Sequence, residues 1–297
     1  VTRVAFVLAP GVHLLDLAGP AQVFFDDVLG YDLHWVAEHD EVNTAQGLPV
    51  RADTTWPTLT ADDLVVVPGW RSPSLAATFA LGQATLDRIR AHHDSGGMVV
   101  SVCAGADALG KAGLLDGRRA TTHHDLQDEL ARRYPKATVV RDVLYVVDGR
   151  VATSAGIASG IDLALHLVAT RHGPAVAARV ARSMVVYARR NGDEHQASAM
   201  LRHRSHVDDT VHRVQDLIDT RFSDPLPLTT LAGAAGVSAR TVTRLFGRAT
   251  GLTPLRYQHL LRLERAEHLI RHGATVESAA RAVGFEDARM LRRLRAR

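Results

Sequence analysis

The strongest constraint on this chain is a change of hydrophobic period along it. Up to about residue 170, short continuous apolar runs alternate with helix-like segments. Val4 to Leu8 ends at Pro10-Gly11, Leu33 to Ala37 follows, Leu64 to Val67 closes on Pro68-Gly69, and Met98 to Val102 is entered through Gly96-Gly97. Such runs, apolar at nearly every position, suit strands buried on both faces. That is the condition of a mostly parallel sheet covered by helices. Leu86, Ile89, Arg90 and His93 carry a helical pattern between two of them. Val143 to Val147, Asp148-Gly149 and Val151 to Thr153 read as a hairpin, and Ser159 to Ala169 as an apolar helix. From Arg189 to Asp209 the chain is polar, with weak periodicity, and reads as a linker. Beyond it only helical patterns occur. Val211, Val214, Leu217 and Ile218 open them, and the first stops at Asp224-Pro225.

Charge follows the same division. Pro225 to Arg297 holds 13 Arg against 5 acids, whereas the preceding 224 residues hold 22 basic and 27 acidic groups. An acidic body with a basic tail points to a polyanion partner for the tail. Only two Lys occur, Lys111 and Lys136, so an overall bias toward Arg contributes to the tail's count. No run approaches the length of a membrane span, and the start VTRVAFVLAP lacks a signal-peptide pattern. A single cysteine, Cys103, excludes an intrachain disulfide. Together these features predict a cytoplasmic protein with no membrane partner.

In the tail, Leu228 to Ser238 reads as helix, tight turn and helix start. Gly236 stands where positive φ is cheapest and Ser238 where it caps the second helix. In that second helix Val242, Leu245, Phe246 and Ala249 share one face, and Arg240, Thr243 and Arg244 lie largely on the other, with Arg248 one turn on. A short helix with a packed back and an Arg/Thr front is the shape that enters a major groove. A second copy follows. Val276 to Val283 is its first helix, Gly284-Phe285 the turn, and Glu286 onward the second helix, with Arg289, Arg292 and Arg293. Between the copies, Pro254 to His272 reads as one helix. At 1.5 Å per residue it spans roughly 28 Å, near one turn of DNA.

In the body, Ser101 to Ala106 lies where a strand turns sharply into a helix. Such an elbow lifts the Cys103 side chain above the sheet, and the helix N-terminus is expected to lower its thiol pKa. His123 and Asp16 are the imidazole and carboxylate that would converge on it at the sheet's C-terminal edge. The alternative is a buried, inert Cys among ordinary polar residues. Sixteen His invite a metal reading. However, adjacent pairs such as His92-His93 and His123-His124 project apart on a helix or strand, so neither a metal site nor a cofactor is expected.

The tail resembles the AraC family of transcription regulators. The resemblance rests on Leu231-Ala232…Gly236-Val237-Ser238, Leu245-Phe246, Gly251-Leu252-Thr253-Pro254…Tyr257, Arg262-Leu263…Ala266…Leu269 and Ala279-Ala280…Val283-Gly284-Phe285. It implies that Arg240, Thr243 and Arg244 read bases from the first motif, and that Ala288, Arg289 and Arg293 do so from the second. The body is similar to the PfpI-like, class I glutamine amidotransferase-like superfamily. The carriers are Asp16 to Pro20, Val67 to Trp70, Val102 to Gly105, Gly113 to Arg118, Ala120 to His123, and Thr153 to Gly156 with Gly160-Ile161-Asp162. In that superfamily's enzymes the elbow Cys is the nucleophile and an acidic residue near the first helix tunes it. Here Ala104 replaces the Thr that follows the Cys in isocyanide hydratases, and the late His-Glu pair of glutamine amidotransferases is missing.

The two resemblances imply a flavodoxin-like α/β, mostly parallel domain over 1–187, a linker over 188–207, and an all-α domain with two helix-turn-helix motifs over 208–297. The implied function is sequence-specific regulation of transcription. The implied partners are double-stranded DNA and a second copy bound through the N-terminal domain, with RNA polymerase and a small-molecule effector as further candidates. Asp16, Gly69, Trp70, Cys103, Ala104, His123 and Ser154 would line an effector pocket that does not catalyse. The competing expectation is a cysteine-dependent hydrolase or hydratase.

Overall fold

A computed structural model describes residues 1–75, 81–186, 190–194, 196, 203, 204, 206–271 and 273–296. They form two compact units, Val1–Gln196 and Ala197–Arg297. Half of the expected linker, 188, 189, 195, 197–202 and 205, lies outside the described residues.

The first unit is built on a six-stranded sheet. In chain order its strands are β1 (Arg3–Leu8), β2 (Asp32–Ala37), β5 (Leu64–Val67), β6 (Met98–Val102), β9 (Tyr145–Asp148) and β10 (Val151–Ser154). They lie side by side as β2-β1-β5-β6-β10-β9. Every pairing is parallel except β9 with β10, which is the hairpin at one edge. The continuous apolar runs have a direct cause. In β1, Ala5 and Val7 face one core while Val4, Phe6 and Leu8 face the other. In β5, Val65 and Val67 divide from Leu64 and Val66 in the same way. With both faces covered, no position from Val4 to Leu8 or from Leu64 to Val67 is left for a polar residue.

One core is closed by α2 (Gln83–Asp94), α3 (Gly105–Lys111) and α4 (Gln127–Arg133), through Leu86, Ile89, Leu109 and Leu130. The other is closed by α1 (Leu14–Phe24), α5 (Ser159–His172) and α6 (Pro174–Ser183), through Leu17, Val23, Phe24, Leu163, Leu167 and Val180. Two small ribbons lie outside the sequence reading: β3 (Glu41–Asn43) with β4 (Pro49–Arg51), and β7 (Arg119–Ala120) with β8 (Thr138–Val139). Two or three residues carry no periodicity, so these elements arise from tertiary pairing alone.

The second unit contains only helices among its described residues: α7 (Asp209–Thr220), α8 (Leu228–Ala235), α9 (Ala239–Thr250), α10 (Pro254–Arg271), α11 (Val276–Ala282) and α12 (Ala288–Arg295). Their starts are set by caps. Asp208, Ser238, Thr275 and Asp287 each accept backbone N–H groups of the first turn that follows. Gly236 holds φ +69° and Gly284 φ +84°, so both turns use a conformation that costs glycine least.

Boundaries in the second unit differ from the sequence reading at α7 and α12. α7 stops at Thr220, before Asp224-Pro225, where Arg221 leaves the helical conformation (φ −127°, ψ 31°), and the carbonyls of Phe222 and Asp224 beyond it accept from the Gln258 side chain on α10 (2.9 and 2.8 Å). α12 starts at Ala288 rather than Glu286, because Asp287 is its cap. α10 ends at Arg271, and His272 lies outside the described residues.

Candidate nucleic-acid interface and cysteine site

Helix α9 presents the first candidate reading face. Its back is fixed by Val242 and Phe246, 1% and 0% exposed, which pack with Leu231, Tyr257 and Leu261. The αL turn at Gly236 and the Ser238 cap set the angle at which the helix leaves α8. The remaining face is free: Arg240, Thr243, Arg244 and Arg248 are all exposed. None of the three Arg has an acidic partner within ion-pair distance among the described residues. The Thr243 hydroxyl donates to the Ala239 carbonyl (3.1 Å), which leaves its methyl group and oxygen on the outer face.

Helix α12 repeats the arrangement with a correction. Ala288, expected to read bases, is 8% exposed and packs with Leu291 and Leu294 against Ala279, Ala280 and Phe285. The Asp287 cap turns the first helical residue inward, so Ala288 is a core residue. Arg289 and Arg293, four apart, are exposed on the outer side. Arg292 is exposed as well, but its guanidinium is held by Glu277 of α11 (2.5 Å). It therefore flanks the reading face rather than lying in it.

The elbow lies in the first unit. Cys103 sits between β6 and α3 at φ +54°, a backbone state rare for a non-glycine residue and expected at a strained turn. Its N–H donates to the Ser154 carbonyl (3.0 Å), and its own carbonyl accepts the Thr122 hydroxyl (2.7 Å). Two glycines make room for it. A Cβ on Gly69 would lie 2.4 Å from Asp16 Oδ2 and 2.6 Å from Cys103 Cβ. One on Gly156, at φ +98°, would lie 2.3 Å from Cys103 Cβ. Asp16 is fully buried. Its Oδ1 accepts the Ile157 N–H (2.5 Å), while Oδ2 has no well-formed hydrogen bond and faces Gly69 and Cys103. Burial raises the Asp16 carboxyl above its ordinary value, against the lowering effect of the Ile157 N–H.

The thiol departs from the sequence reading. Burial pushes Cys103 well above the ordinary thiol range, and the nearby Asp16 carboxylate adds to the rise. The helix N-terminus does not win, because the thiol is 6% exposed and faces a carboxylate. His123 does not complete a triad either. It has no hydrogen bond to Cys103, and its Nδ1 accepts the Asp125 N–H (3.4 Å). Burial and the adjoining His124 lower its pKa. Ala104 is buried at the start of α3, and Trp70 is 2% exposed. The Trp70 indole N–H and the Ser154 hydroxyl are buried without partners among the described residues.

The neighbouring histidines correct a further expectation. His123 is extended and caps a 3-10 turn, so the rings of His123 and His124 meet at 4.1 Å instead of diverging. The Asp125 carboxylate lies 3.5 and 3.4 Å from them, and these three form a group with metal-ligand spacing. Sequence reasoning also missed Thr122 and Gly156. Both stand in motifs that carry the superfamily resemblance, but nothing local assigns them to the cysteine.

The DJ-1/PfpI family matches residues 2–170, and a helix-turn-helix domain matches residues 231–297. The HTH-type transcriptional regulator CdhR of Pseudomonas aeruginosa is 32% identical over 291 residues, covering 95% of this chain and 84% of that protein. The isonitrile hydratase of Pseudomonas putida is 38% identical over 170 residues, 56% of this chain and 70% of that enzyme. A THiJ/PfpI family protein from Pseudomonas syringae superposes with a TM-score of 0.56 at 25% identity, over 79% of this chain and 90% of that one. No helix among the described residues is long and apolar enough to cross a membrane. With an elbow cysteine on a mostly parallel sheet and two capped helix-turn-helix motifs later in the sequence, the chain belongs to the DJ-1/PfpI family, in its branch of HTH-type transcriptional regulators with an AraC-type tail.

Proposed function

We propose that the chain regulates transcription in the cytoplasm by reading a DNA sequence with α9 and α12, while the α/β body brings two copies together and senses a small molecule. The observation that carries this is the division of α9 into a fixed back and a free front. Val242 and Phe246 lock the helix, and Arg240, Thr243 and Arg244 stand exposed on one side of it. Arg pairs bidentately with guanine, and Thr meets a thymine methyl or a phosphate. Arg248 of α9 and Arg292 beside the second face are assigned to phosphates, and Arg289 and Arg293 to bases. A dimer doubles the contacts and raises avidity. RNA polymerase is the partner through which such a regulator would act.

The body is read as a binding pocket rather than a catalyst. A nucleophilic thiol must be available as thiolate, and here burial and Asp16 oppose ionisation. The partnerless Trp70 N–H and Ser154 hydroxyl, together with Asp16, Gly69, Ala104 and His123, supply polar contacts for an effector. The similarity to an isonitrile hydratase favours a second reading, hydration at Cys103. The test is genome-wide footprinting, followed by binding of the recovered fragments at two salt concentrations and an isonitrile-hydration assay on the parent and Cys103→Ser. Specific binding with no turnover supports the regulator. Turnover that vanishes in Cys103→Ser supports the hydratase.

A further inference from the structure

One buried guanidinium in the second unit forms no ion pair among the described residues. Arg262, in the middle of α10, is 8% exposed, and among the described residues its hydrogen bonds all go to main-chain carbonyls. Nε donates to Phe222 O (2.6 Å), one terminal nitrogen to Gly284 O (2.8 Å), and the other to Ser223 O (3.2 Å) and Asp224 O (2.9 Å). The guanidinium also lies 5.5 Å from the centre of the Phe285 ring. A guanidinium is the side chain for this task, because its planar fork sends donors in several fixed directions at once.

The carbonyls it gathers belong to different motifs. Phe222 to Asp224 lead into α8 of the first motif, whereas Gly284 is the turn of the second. The two segments touch directly, since a Cβ on Gly284 would lie 1.9 Å from the Ser223 carbonyl oxygen. Gln258, one turn earlier on α10, bonds Phe222 O and Asp224 O but does not reach the second motif. The apolar cores of the two motifs are otherwise separate, sharing Phe222 at their margin.

We propose that Arg262 is the positioning residue that fixes the spacing and angle between the two reading helices, and so sets the distance between DNA half-elements that the tail accepts. The inference rests on the DNA-binding reading of α9 and α12. Two short helices reading successive grooves gain from joint binding only while their separation is held. Lys in place of Arg keeps the charge and loses the fork.

Two measurements on the full chain decide it. The first needs no DNA. In a Cys103→Ser background, spin labels on Thr243→Cys and Arg289→Cys report the distance between α9 and α12. The distribution should be narrow in the parent and with Gln258→Ala, and broad with Arg262→Lys. The second uses a footprinted operator fragment and versions with one base pair added or removed between the half-elements. The parent and Gln258→Ala should lose at least about tenfold in affinity on respacing, while Arg262→Lys should discriminate less than about threefold. A distribution that stays narrow in Arg262→Lys, or spacing discrimination equal to the parent's, overturns the proposal. A parent that shows a narrow distribution but binds operator and scrambled DNA alike overturns the base-reading assignment and leaves the lock to the spin-label result. A general loss of stability would weaken binding to every fragment equally, which this design separates from lost spacing.

Discussion

Arg244 and Arg248 lie four residues apart on α9, both exposed and neither in an ion pair among the described residues, yet they should fail differently when removed. Four residues of helix advance about 6 Å, close to two base-pair steps. With the N-terminal half of α9 in the groove, as recognition helices dock, Arg244 reaches a base edge and Arg248 the backbone beyond it. Arg244→Ala should then weaken operator binding about 5- to 150-fold per motif, from roughly 1–3 kcal/mol per bidentate pair, and should relax preference at one base. Arg248→Ala should weaken all sequences alike and reduce the slope of log K against log salt by about 1. Neither variant should alter the melting temperature, because neither side chain packs in a core. Fluorescence anisotropy with operator and scrambled duplexes at three salt concentrations measures both effects. If Arg244→Ala left operator affinity and base preference unchanged, the placement of α9 in the groove would be refuted.

Other expectations concern the body and the cores. Asp16→Asn removes the carboxylate charge that helps to raise the Cys103 thiol, so iodoacetamide should alkylate Cys103 several-fold faster at pH 8, measured by mass spectrometry. Because the folded carboxyl is raised, Asp16 adds stability that is full below its unfolded value, near 3.8, and is lost as pH climbs through the folded value. Asp16→Asn should therefore flatten the melting-temperature profile over that interval. His92 works in the opposite sense. Burial holds it below 6.5, so its stabilising contribution is present above that pH and lost as pH falls, and His92→Gln should remove the acid-side loss in a thermal melt. Phe246→Ala empties a fully buried position and should cost about 3–5 kcal/mol in a urea titration that follows the second unit.

The sheet was legible because burial on both faces leaves its mark on every residue of β1, β5 and β6 except Arg3 and Ser101. The reading helices were legible because caps and αL glycines act through local backbone chemistry at Ser238, Gly236 and Gly284. The thiol's pKa was not. It depends on Asp16, which is remote in sequence and brought to Cys103 by the sheet, and on burial that an elbow motif does not encode. The meeting of His123 and His124 depends on one extended residue before a 3-10 turn, which a helix-or-strand rule cannot represent. Ala288 failed for a similar reason. Placing α12's first residue required knowing that Asp287 caps it. Arg262 carried part of the family pattern in the sequence, but its four acceptors are backbone atoms, and sequence gives no sign of which carbonyls fall within reach.

The two tail cores differ in substance. Phe246, Tyr257, Leu231, Leu261 and Ile218 fill the first, while alanines 266, 279, 280 and 288 make up half of the buried residues of the second. Alanine brings little apolar area, so the segment from Val276 to Ala296 gains the smaller hydrophobic stabilisation and should open before its neighbour. Its amides should exchange with deuterium sooner than those of α8 and α9, and slow markedly once a duplex is bound. Association at that end would then carry a folding component, visible as a larger negative heat-capacity change than the contact area alone supplies.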